Sequence, residues 1–549
     1  MDDRSSPAGA SVEATSFEVS PTRLRAFRWG WLGFMVLATS IPYLWAWWSA
    51  PAGSHYTWIL PPYPEDSLAY RAWSLQAAQG HWLFQLKYTA IPHAPFLFQP
   101  FFLACGWLSA WSSGDVGIVL WLVKMAGVAC FLHFFYRYCD FLGLQPFQSI
   151  VAAILAGAAS GVGGMLAEVG NAAHWPVPPA DLWVVDINVF WSLLWNPLFP
   201  WALAVMIFVV HRIDRGTQTG RAADLWIGGI ATGVMGLIHP YSVPFLGAAA
   251  IGLAVVRQKA RAWTSVARFC VAAAPFIAYP LWLSSVNPLV ARHSVLGAMK
   301  TPPLISCLLG FGFLLPLASV GLVLNQRRFL REHWTMIAWF VLSLIMAWLP
   351  FWYQRKFLFG AQLPLCILAA VSSDWILLTI GTIAMRRRVL AASCLVLLPL
   401  LVSTPAYLLR AEAREVRDNA GGAYFIGDDL WAAMHFLKQN AAPQEVVFAT
   451  YETSRLIPAF AGNTVVWGHW AMSVDGKERA AWLAKLFDAR TSATAEERSQ
   501  EFWNSGIRYF LADGRMQQWL AQTPTAWPRL ESEMVFSNRT TAIYRHRNP

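Results

Sequence analysis

The stretch Arg23–Ala50, RLRAFRWGWLGFMVLATSIPYLWAWWSA, sets the class of this protein. The run from Trp29 to Ala50 is apolar and long enough to cross a bilayer, which takes about 20 residues in a helix. Its end is rich in Trp and Tyr and lacks a small-x-small site, which favours a retained membrane segment over a cleaved signal peptide. Three arginines precede it, and this pattern places the N-terminus in the cytoplasm.

The composition agrees with a membrane protein. Of the 549 residues, 56% are hydrophobic and only 13% are charged, and the mean hydropathy is +0.41. Soluble proteins are about 45–50% apolar and about 25% charged, so a soluble globular enzyme and a disordered chain are both excluded. Seven scattered cysteines exclude a disulfide scaffold. The net charge of +10 fits loops that face anionic headgroups, and we predict no binding to nucleic acid.

Eleven more apolar stretches follow, which gives 12 candidate crossings. They lie near 94–112, 116–136, 147–166, 187–210, 225–239, 241–256, 265–285, 304–324, 334–351, 357–378 and 388–409. Basic clusters separate them in pairs and are predicted to be cytoplasmic: Arg212, Arg215 and Arg221; Arg257, Lys259, Arg261 and Arg268; Arg327, Arg328 and Arg331; and Arg386, Arg387 and Arg388. An inside N-terminus and an outside C-terminus need an odd number of crossings. One stretch between 94 and 210 is therefore interfacial or re-entrant, or crosses twice, and we expect 11 or 13 transmembrane helices.

The predicted organisation has three parts. Residues 1–28 are expected to form a disordered cytoplasmic tail, and 29–410 a polytopic α-helical membrane domain with a long outer loop at 51–93. Residues 411–549 are polar and carry no spanning segment, so we expect a soluble extracytoplasmic α/β domain. Its strands alternate with helices, which favours a small, mostly parallel sheet, and no glycine-rich phosphate loop opens a helix there.

The acidic pair Glu65-Asp66 in the first outer loop is the strongest local feature. One of two adjacent carboxylates can act as a general base that deprotonates a hydroxyl. The alternative is helix capping, because Asp66 precedes a helical stretch and Asp is a favoured N-cap residue.

Two histidines mark further candidate positions. His93 lies in the run Pro92-His93-Ala94-Pro95, where it is able to bind a phosphate or relay a proton, or else to bond to the backbone. The run His239-Pro240-Tyr241 interrupts about 30 apolar residues. Irregular backbone at membrane depth is tolerated where it lines a cavity, although an ordinary turn between helices explains the break equally well.

Charged residues in later outer loops complete the candidates. The loop 167–190 holds Glu168, His174, Asp181 and Asp186, whose oxygens are suited to a divalent cation, although no spacing amounts to a metal signature and Asp186 is equally a candidate N-cap. Arg355-Lys356 stands at an outer helix end. Paired cations there are able to clamp a phosphate, and the alternatives are headgroup contact or an ion pair.

These features in this order resemble the GT-C superfamily of integral membrane glycosyltransferases, which includes protein O-mannosyltransferases, lipid A aminoarabinose transferases and oligosaccharyltransferases. The resemblance lies in the acidic pair followed by Tyr70, then Gly80 and the His/Pro-rich run at 92–95. The acid Asp186 in the second outer loop also fits. The stretch from Asp66 to His93, together with 239–241 and the tail run 457–462 through Gly468-His469, looks most like uncharacterised bacterial members. The acids read Glu-Asp where the mannosyltransferase pattern is Asp-Glu.

The resemblance implies transfer of a sugar from a polyprenyl-phosphate donor to an acceptor hydroxyl on the outer face of a bacterial plasma membrane. Asp66 is then the base, with Glu65 as fallback, and the acceptor is unspecified. The candidate substrate-binding residues are Tyr70, His93, Asp186, His239, Tyr241, Arg355 and Lys356, the last two assigned to the donor phosphate on charge and side alone. No cofactor is predicted, and a divalent cation stays open. The alternatives are a transporter or flippase of a lipid-linked substrate, which needs charges inside membrane segments such as Lys124, and a non-catalytic assembly subunit on the same scaffold.

Overall fold

A computed structural model describes residues 17–169, 177–296, 298–419, 423–488, 493–522 and 529–547. Up to residue 418 the described chain is mostly helical. Its helices are α1 Pro21–Ala38, α2 Ile41–Trp48, α3 Pro64–Ala78, α4 Pro100–Ser112, α5 Val116–Phe141, α6 Pro146–Ala158, α7 Gly163–Val169, α8 Val189–Leu194, α9 Leu198–Thr219, α10 Ala222–Ile238, α11 Val243–Gln258, α12 Ala262–Val286, α13 Pro288–Leu296, α14 Leu304–Phe311, α15 Leu314–Ala347, α16 Gln362–Leu378, α17 Ile383–Leu401 and α18 Ser403–Asp418.

The C-terminal part forms a small α/β domain. Its helices are α19 Asp428–Asn440, α20 Tyr451–Ser454, α21 Ile457–Phe460, α22 Gly476–Phe487, α23 Ala495–Asn504 and α24 Gly514–Gln522, and the strands of the chain are β1 Ser54–Tyr56, β2 Phe425–Gly427, β3 Val446–Phe448, β4 Thr464–Val465, β5 Ile507–Ala512, β6 Ser532–Ser537 and β7 Ala542–His546. The sheet order is β4-β3-β5-β7-β6. The prediction of a mostly parallel sheet is wrong for half of it: β3 pairs in parallel with β4 and β5, but the terminal hairpin adds β7 and β6 antiparallel.

The first helix begins earlier than the sequence pattern indicated. It starts at Pro21, and Ser20 caps it by accepting a hydrogen bond from the Arg23 amide. The expected tail 1–28 therefore extends too far, because proline at the first helical position and a serine cap start the helix ahead of the apolar run. Residues 1–16 of that tail lie outside the described ranges.

Four described helical stretches are long and apolar enough to cross a membrane: 116–141, 240–286, 354–378 and 383–418. A fifth is the pair α14 and α15, which bends by 80° at the break between the two helices. The backbone of α15 is itself non-helical at Asn325 and His333. The predicted segments 304–324 and 334–351 thus fall on either side of a kink.

Side-chain contacts bring the basic loops to one end of the helical part, here named the basic end. Arg28 of α1 pairs with Asp140 near the end of α5, and the Tyr138 hydroxyl donates to Asp214 of α9 at 3.0 Å. Arg257 of α11 also pairs with Asp214. A further contact at this end is the 2.9 Å hydrogen bond from Gln148 to Asp374. Two of the predicted cytoplasmic clusters, the one on α9 beside Asp214 and the one that begins at Arg257, therefore share one end with the start of α1.

Helix α4 has both of its ends at the opposite end of the bundle, here named the site end. Before α4, the Gln99 amide donates to the Ile238 carbonyl where α10 finishes. After α4, Asp115 caps α5 and pairs with Arg71 of α3 at 3.0 Å. Between these points α4 packs along α3 so closely that a side chain at Gly106 would meet the Ser74 carbonyl at 2.3 Å. Its 13 residues span about 20 Å, less than the roughly 30 Å core of a bilayer.

The C-terminal domain is attached to the outer loop at several points. Strand β1 of the loop pairs antiparallel with β2. Arg71, buried on α3, donates from Nε to the carbonyl of Ala459 in α21 at 3.2 Å, and its guanidinium stacks over the Phe460 ring. Because the same guanidinium forks onto Asp115, one side chain joins α3, α5 and the C-terminal domain.

We expect Arg71→Ala to destabilise the protein by about 2 kcal/mol or more, because it leaves a partly buried carboxylate and a buried carbonyl without their donor. The measurement is the thermal unfolding midpoint of the detergent-purified chain. Arg417→Ala is the matched control, since Arg417 and its partner Asp418 are both exposed and such pairs contribute little. Equal midpoints for the two variants would show that Arg71 does not join these elements.

Candidate active site

Asp66 lies in the first turn of α3, and its carboxylate contacts the C-terminal domain. Tyr63 is the N-cap residue and Pro64 occupies the first helical position, so Asp66 is not the cap of its helix. Its Oδ1 accepts a hydrogen bond from Trp470 Nε1 at 3.1 Å, and His469 Nε2 lies 3.5 Å from the same oxygen. The Asp66 side chain keeps 26% of its surface exposed, which leaves it accessible to a substrate.

The loop that carries these two aromatic residues is built around a serine and a glycine. Ser473 Oγ accepts hydrogen bonds from the amides of Gly468 and His469, at 3.0 and 3.1 Å. Gly468 has a φ of +142°, and a Cβ there would lie 2.9 Å from the Arg455 amide nitrogen. The backbone can take this path only with glycine, and the loop therefore presents His469 and Trp470 to Asp66.

Glu65 also contacts the C-terminal domain, through a different residue. Its Oε1 lies 3.3 Å from Arg455 Nη1, and Arg455 also pairs with Glu452 of its own domain. The Tyr88 hydroxyl donates to the Arg455 carbonyl at 3.1 Å, which ties the same position to the outer loop. With Glu65 engaged in an ion pair, Asp66 is the more available of the two acids.

Asp186 forms the second charged group of the site. It lies in a short 3₁₀ turn, Val185–Ile187, and its carboxylate is buried. Asp186 Oδ1 pairs with Lys356 Nζ at 2.9 Å, and Oδ2 pairs with Arg355 Nε at 3.3 Å. The Lys356 ammonium also lies 5.0 Å from the ring centre of Phe199. A desolvated carboxylate is stable only when paired, and here two cations share it.

The two carboxylates titrate below the usual range. Burial raises the pKa of Asp66, but the interaction with His469, the hydrogen bond from Trp470 and the charge of Lys356 outweigh it, so the pKa is lowered. Burial likewise raises the pKa of Asp186, and Lys356 and Arg355 reverse the direction. Both groups are therefore carboxylates at neutral pH, which a general base requires.

Tyrosines occupy the space between these two charged groups. Burial raises the pKa of Tyr70 well above its ordinary value, and the charges of Asp66 and Asp186 add to it. Tyr63 donates its hydroxyl to the Trp183 carbonyl at 3.2 Å, and burial raises its pKa, with Arg355, Asp186 and Asp66 also acting on it. These phenols stay protonated and act only as hydrogen-bond donors or acceptors.

The predicted turn at 239–241 reaches the same place from α10. The ring of His239 lies 4.9 Å from the Phe359 ring, and its Nδ1 lies 2.9 Å from Ser242 Oγ. The Tyr241 ring is 6.0 Å from the Lys356 ammonium. The structure thus gathers most of the predicted site residues into one region: Glu65, Asp66, Tyr70, Asp186, His239, Tyr241, Arg355 and Lys356.

His93 stands apart from this group. Its Nε2 accepts from the Leu86 amide at 3.1 Å and its Nδ1 lies 2.7 Å from the Ile91 carbonyl. Both ring nitrogens are thus occupied by the backbone of the outer loop, which matches the alternative of a backbone-bonded histidine.

The other acids of the second outer loop hold structure together. Asp181 accepts from Thr404 Oγ1 at 2.6 Å and from Ser160 Oγ at 3.1 Å, and Glu168 pairs with Arg410. His174 lies outside the described ranges.

A divalent cation does not fit the donors of this site. Among the described residues no three His, Cys, Asp or Glu side chains converge as metal ligands. Asp186 already carries two cationic side chains, and one oxygen of Asp66 faces Trp470 and His469. The positive charge of the site comes from its own side chains.

Sequence reasoning missed four residues of the site: Tyr63, Arg455, His469 and Trp470. The run Gly468-His469 was noticed only as part of the tail resemblance. Its role follows from a contact across some 400 positions, which no local pattern reveals.

No protein-family model and no curated protein matches the chain. Solved structures match it along almost its whole length. The archaeal oligosaccharyltransferase AglB from Archaeoglobus fulgidus, in complex with an inhibitory peptide and a dolichol-phosphate, gives a TM-score of 0.50 at 15% identity over 95% of this chain and 74% of that one. Its apo form gives 0.52 at 14% identity over 94% and 74%. The arabinofuranosyltransferase AftD from Mycobacteria gives 0.58 at 13% identity, over 97% of this chain and 40% of AftD.

The chain shares its fold with these two membrane enzymes. The likeness covers both the helical part and the C-terminal domain, so the prediction of a mostly helical chain with a C-terminal sheet domain is confirmed. The number of crossings and the side of the C-terminal domain stay predictions. At these identities the comparisons speak for the fold, and the chemistry has to be argued from the site.

We expect Asp186→Asn to destabilise the protein by about 3–5 kcal/mol, because it strips two cations of a buried partner. Asp186→Asn with Lys356→Met should recover part of the loss, and the thermal midpoints of the single and double variants measure the coupling. Since its pKa is lowered in the folded state, the contribution of Asp186 is present above the usual carboxyl pKa and is lost as pH falls through the lowered value. If the losses of stability from the two single changes simply added in the double variant, Asp186 and Lys356 would not stabilise each other.

Proposed function

We propose that the chain is a membrane glycosyltransferase that moves a sugar from a polyprenyl-phosphate donor to an acceptor hydroxyl at the outer face of a bacterial plasma membrane. The observation that carries the proposal is Asp66. It is a carboxylate with one oxygen held by the C-terminal domain, and it stands beside a group of two cations and one acid. The AglB structure with a bound dolichol-phosphate has the same fold and supports a lipid-linked donor.

The cationic group is suited to a phosphate. Lys356 and Arg355 share the single negative charge of Asp186, so the group carries one net positive charge. Arg355 keeps 21% of its side chain exposed, and its two terminal nitrogens have no hydrogen bond among the described contacts of the chain. A guanidinium edge of this kind binds phosphate oxygens in pairs.

The reaction then needs one displacement. Asp66 Oδ2 takes the proton of the acceptor hydroxyl as its oxygen attacks the anomeric carbon, and the bond from that carbon to the lipid phosphate oxygen breaks. The polyprenyl phosphate leaves as an anion that needs no proton, and the cations of the site stabilise its charge. A single displacement inverts the anomeric configuration.

The transporter alternative relied on charges inside membrane segments, above all Lys124. Its ammonium donates to the Thr39 carbonyl at 2.5 Å and lies 4.1 Å from the centre of the Tyr43 ring. These contacts bind α5 to the first helices, which is a structural role.

We further propose 11 crossings, with the site end and the C-terminal domain outside. The passes are α1–α2, α5, α6, α8–α9, α10, α11, α12, α14 with the first half of α15, the second half of α15, α16 and α17. Helix α4 is the stretch that does not cross, because both of its ends lie at the site end. Its exposed Trp107 and Trp111, with Trp82 beside them, suit the headgroup region.

Asp66→Asn should lower turnover by about 10²–10⁴-fold, the usual contribution of a general base. The assay follows release of free polyprenyl phosphate by mass spectrometry, from lipid-linked sugars extracted from host membranes. Glu65→Gln should lose less, because Glu65 is held by Arg455. Glu533→Gln, in an exposed pair with Arg545, is the control. Wild-type turnover in Asp66→Asn would end the assignment of the base, and no turnover by the wild-type protein would favour the assembly-subunit alternative.

The topology predicts that cysteines at both ends of α4 react from the same side. Ala94→Cys and Ser112→Cys should be labelled by an impermeant maleimide on intact cells, and Thr219→Cys at the basic end should not. The exposed Cys270 and Cys394 are first replaced by serine. Labelling of only one of the two α4 positions would mean that α4 crosses the membrane.

A further inference from the structure

His469 is a buried titratable group of the C-terminal domain that the displacement above does not use. Its side chain is 1% exposed, although it belongs to a loop. Among the described residues its Nε2 makes no hydrogen bond of ordinary geometry, and it faces Asp66 Oδ1 at 3.5 Å. A buried nitrogen with no other partner, aimed at a carboxylate, needs an explanation.

The backbone fixes which nitrogen of His469 carries the proton. The amides of Ala471 and Met472 both donate to Nδ1, at 3.0 and 3.1 Å. An Nδ1 that accepts two hydrogen bonds carries no hydrogen of its own, so the proton of the neutral ring is on Nε2. The loop thus holds the imidazole as a donor directed at Asp66.

Trp470 adds a second donor on the same oxygen of Asp66. Both side chains face Oδ1, and no hydrogen bond from a described residue occupies Oδ2, whose lone pairs can accept from a substrate. The carboxylate is held in one rotation by groups that cannot accept its proton, because an indole N–H and an Nε2–H are donors only.

We propose that His469 is a positioning residue, which together with Trp470 fixes Asp66 in the rotation that presents Oδ2 to the acceptor hydroxyl. The inference rests on the proposed function, in which Asp66 is the base. The C-terminal domain then contributes to the reaction itself, by preparing the base that the helical part supplies.

Asp66 faces several other groups that affect its titration. From its own helix and the turn before it come Glu65, Tyr63 and Tyr70, and from the other packed elements come His469, Lys356, Asp186 and Tyr241. Lys356 and Asp186 belong to the proposed phosphate-binding set and stay in place when His469 is changed. A shift in the pH profile of a His469 variant therefore reports the loop alone.

The test is the pH dependence of kcat/KM for release of free polyprenyl phosphate, from the same extracted lipid-linked sugars. The loss of the Nε2–H that faces the carboxylate should move the midpoint of the acidic limb of His469→Ala to a pH about one unit higher. Activity falls as pH drops through the pKa of the base, and losing a donor raises that pKa. His469→Gln, which keeps an N–H donor on a side chain of similar reach, should keep the limb near the wild-type position. Trp470→Phe should shift it in the same direction as His469→Ala.

A reduced rate in His469→Ala with an unmoved acidic limb would overturn the inference, since a merely structural histidine lowers the rate at every pH. If His469→Ala does not fold, Trp470→Phe and His469→Gln carry the test, and a limb in Trp470→Phe that stays in place overturns it. Infrared titration of the carboxylate, read as the difference from Asp66→Asn, should show the same shift without turnover. Full activity of Asp66→Asn would instead overturn the proposed function, so the two failures are distinguishable.

Discussion

The candidate site depends on the contact between the acidic pair at 65–66 and the C-terminal domain. Trp470 and His469 face Asp66, and Arg455 faces Glu65. Neither part of the chain makes the site alone, because the carboxylates come from the outer loop and their donors from a loop some 400 positions away. The β1–β2 pairing and the contacts of Arg71 hold the two parts together. These structural contacts fix the position of the acidic pair relative to its donors.

The second constraint is the buried group of Asp186, Arg355 and Lys356. Burying a carboxylate in a helical bundle is costly, and two cations make it tolerable while leaving a net positive charge at the site end. This charge lowers the pKa of Asp66 and faces the place where a departing phosphate would develop its own charge. The same arrangement leaves no donor set for a divalent cation among the described residues.

The sequence predicted a helical membrane fold with a C-terminal domain, and it named several residues that the structure brings together in the candidate site, because apolar length, basic loops and the Glu65-Asp66 pair are local signals. It could not say that α4 begins and ends at the same end of the bundle, since that depends on where Gln99 and Asp115 find their partners. It treated Asp66 as a candidate N-cap, although Tyr63 takes that position. His469 and Trp470 escaped notice as site residues because their role is a long-range contact. The expectation of a mostly parallel sheet was wrong because alternating strands and helices do not show that the terminal hairpin joins the same sheet in the antiparallel sense.

The most direct test of the account is a cryo-electron microscopy structure of the full chain in nanodiscs with undecaprenyl phosphate as the probe. The account predicts phosphate density in contact with Arg355 and Lys356, on the side of the group that faces Asp66, with Trp470 still bonded to the Asp66 carboxylate. A phosphate bound elsewhere on the protein, or no bound phosphate at saturating lipid, would contradict it.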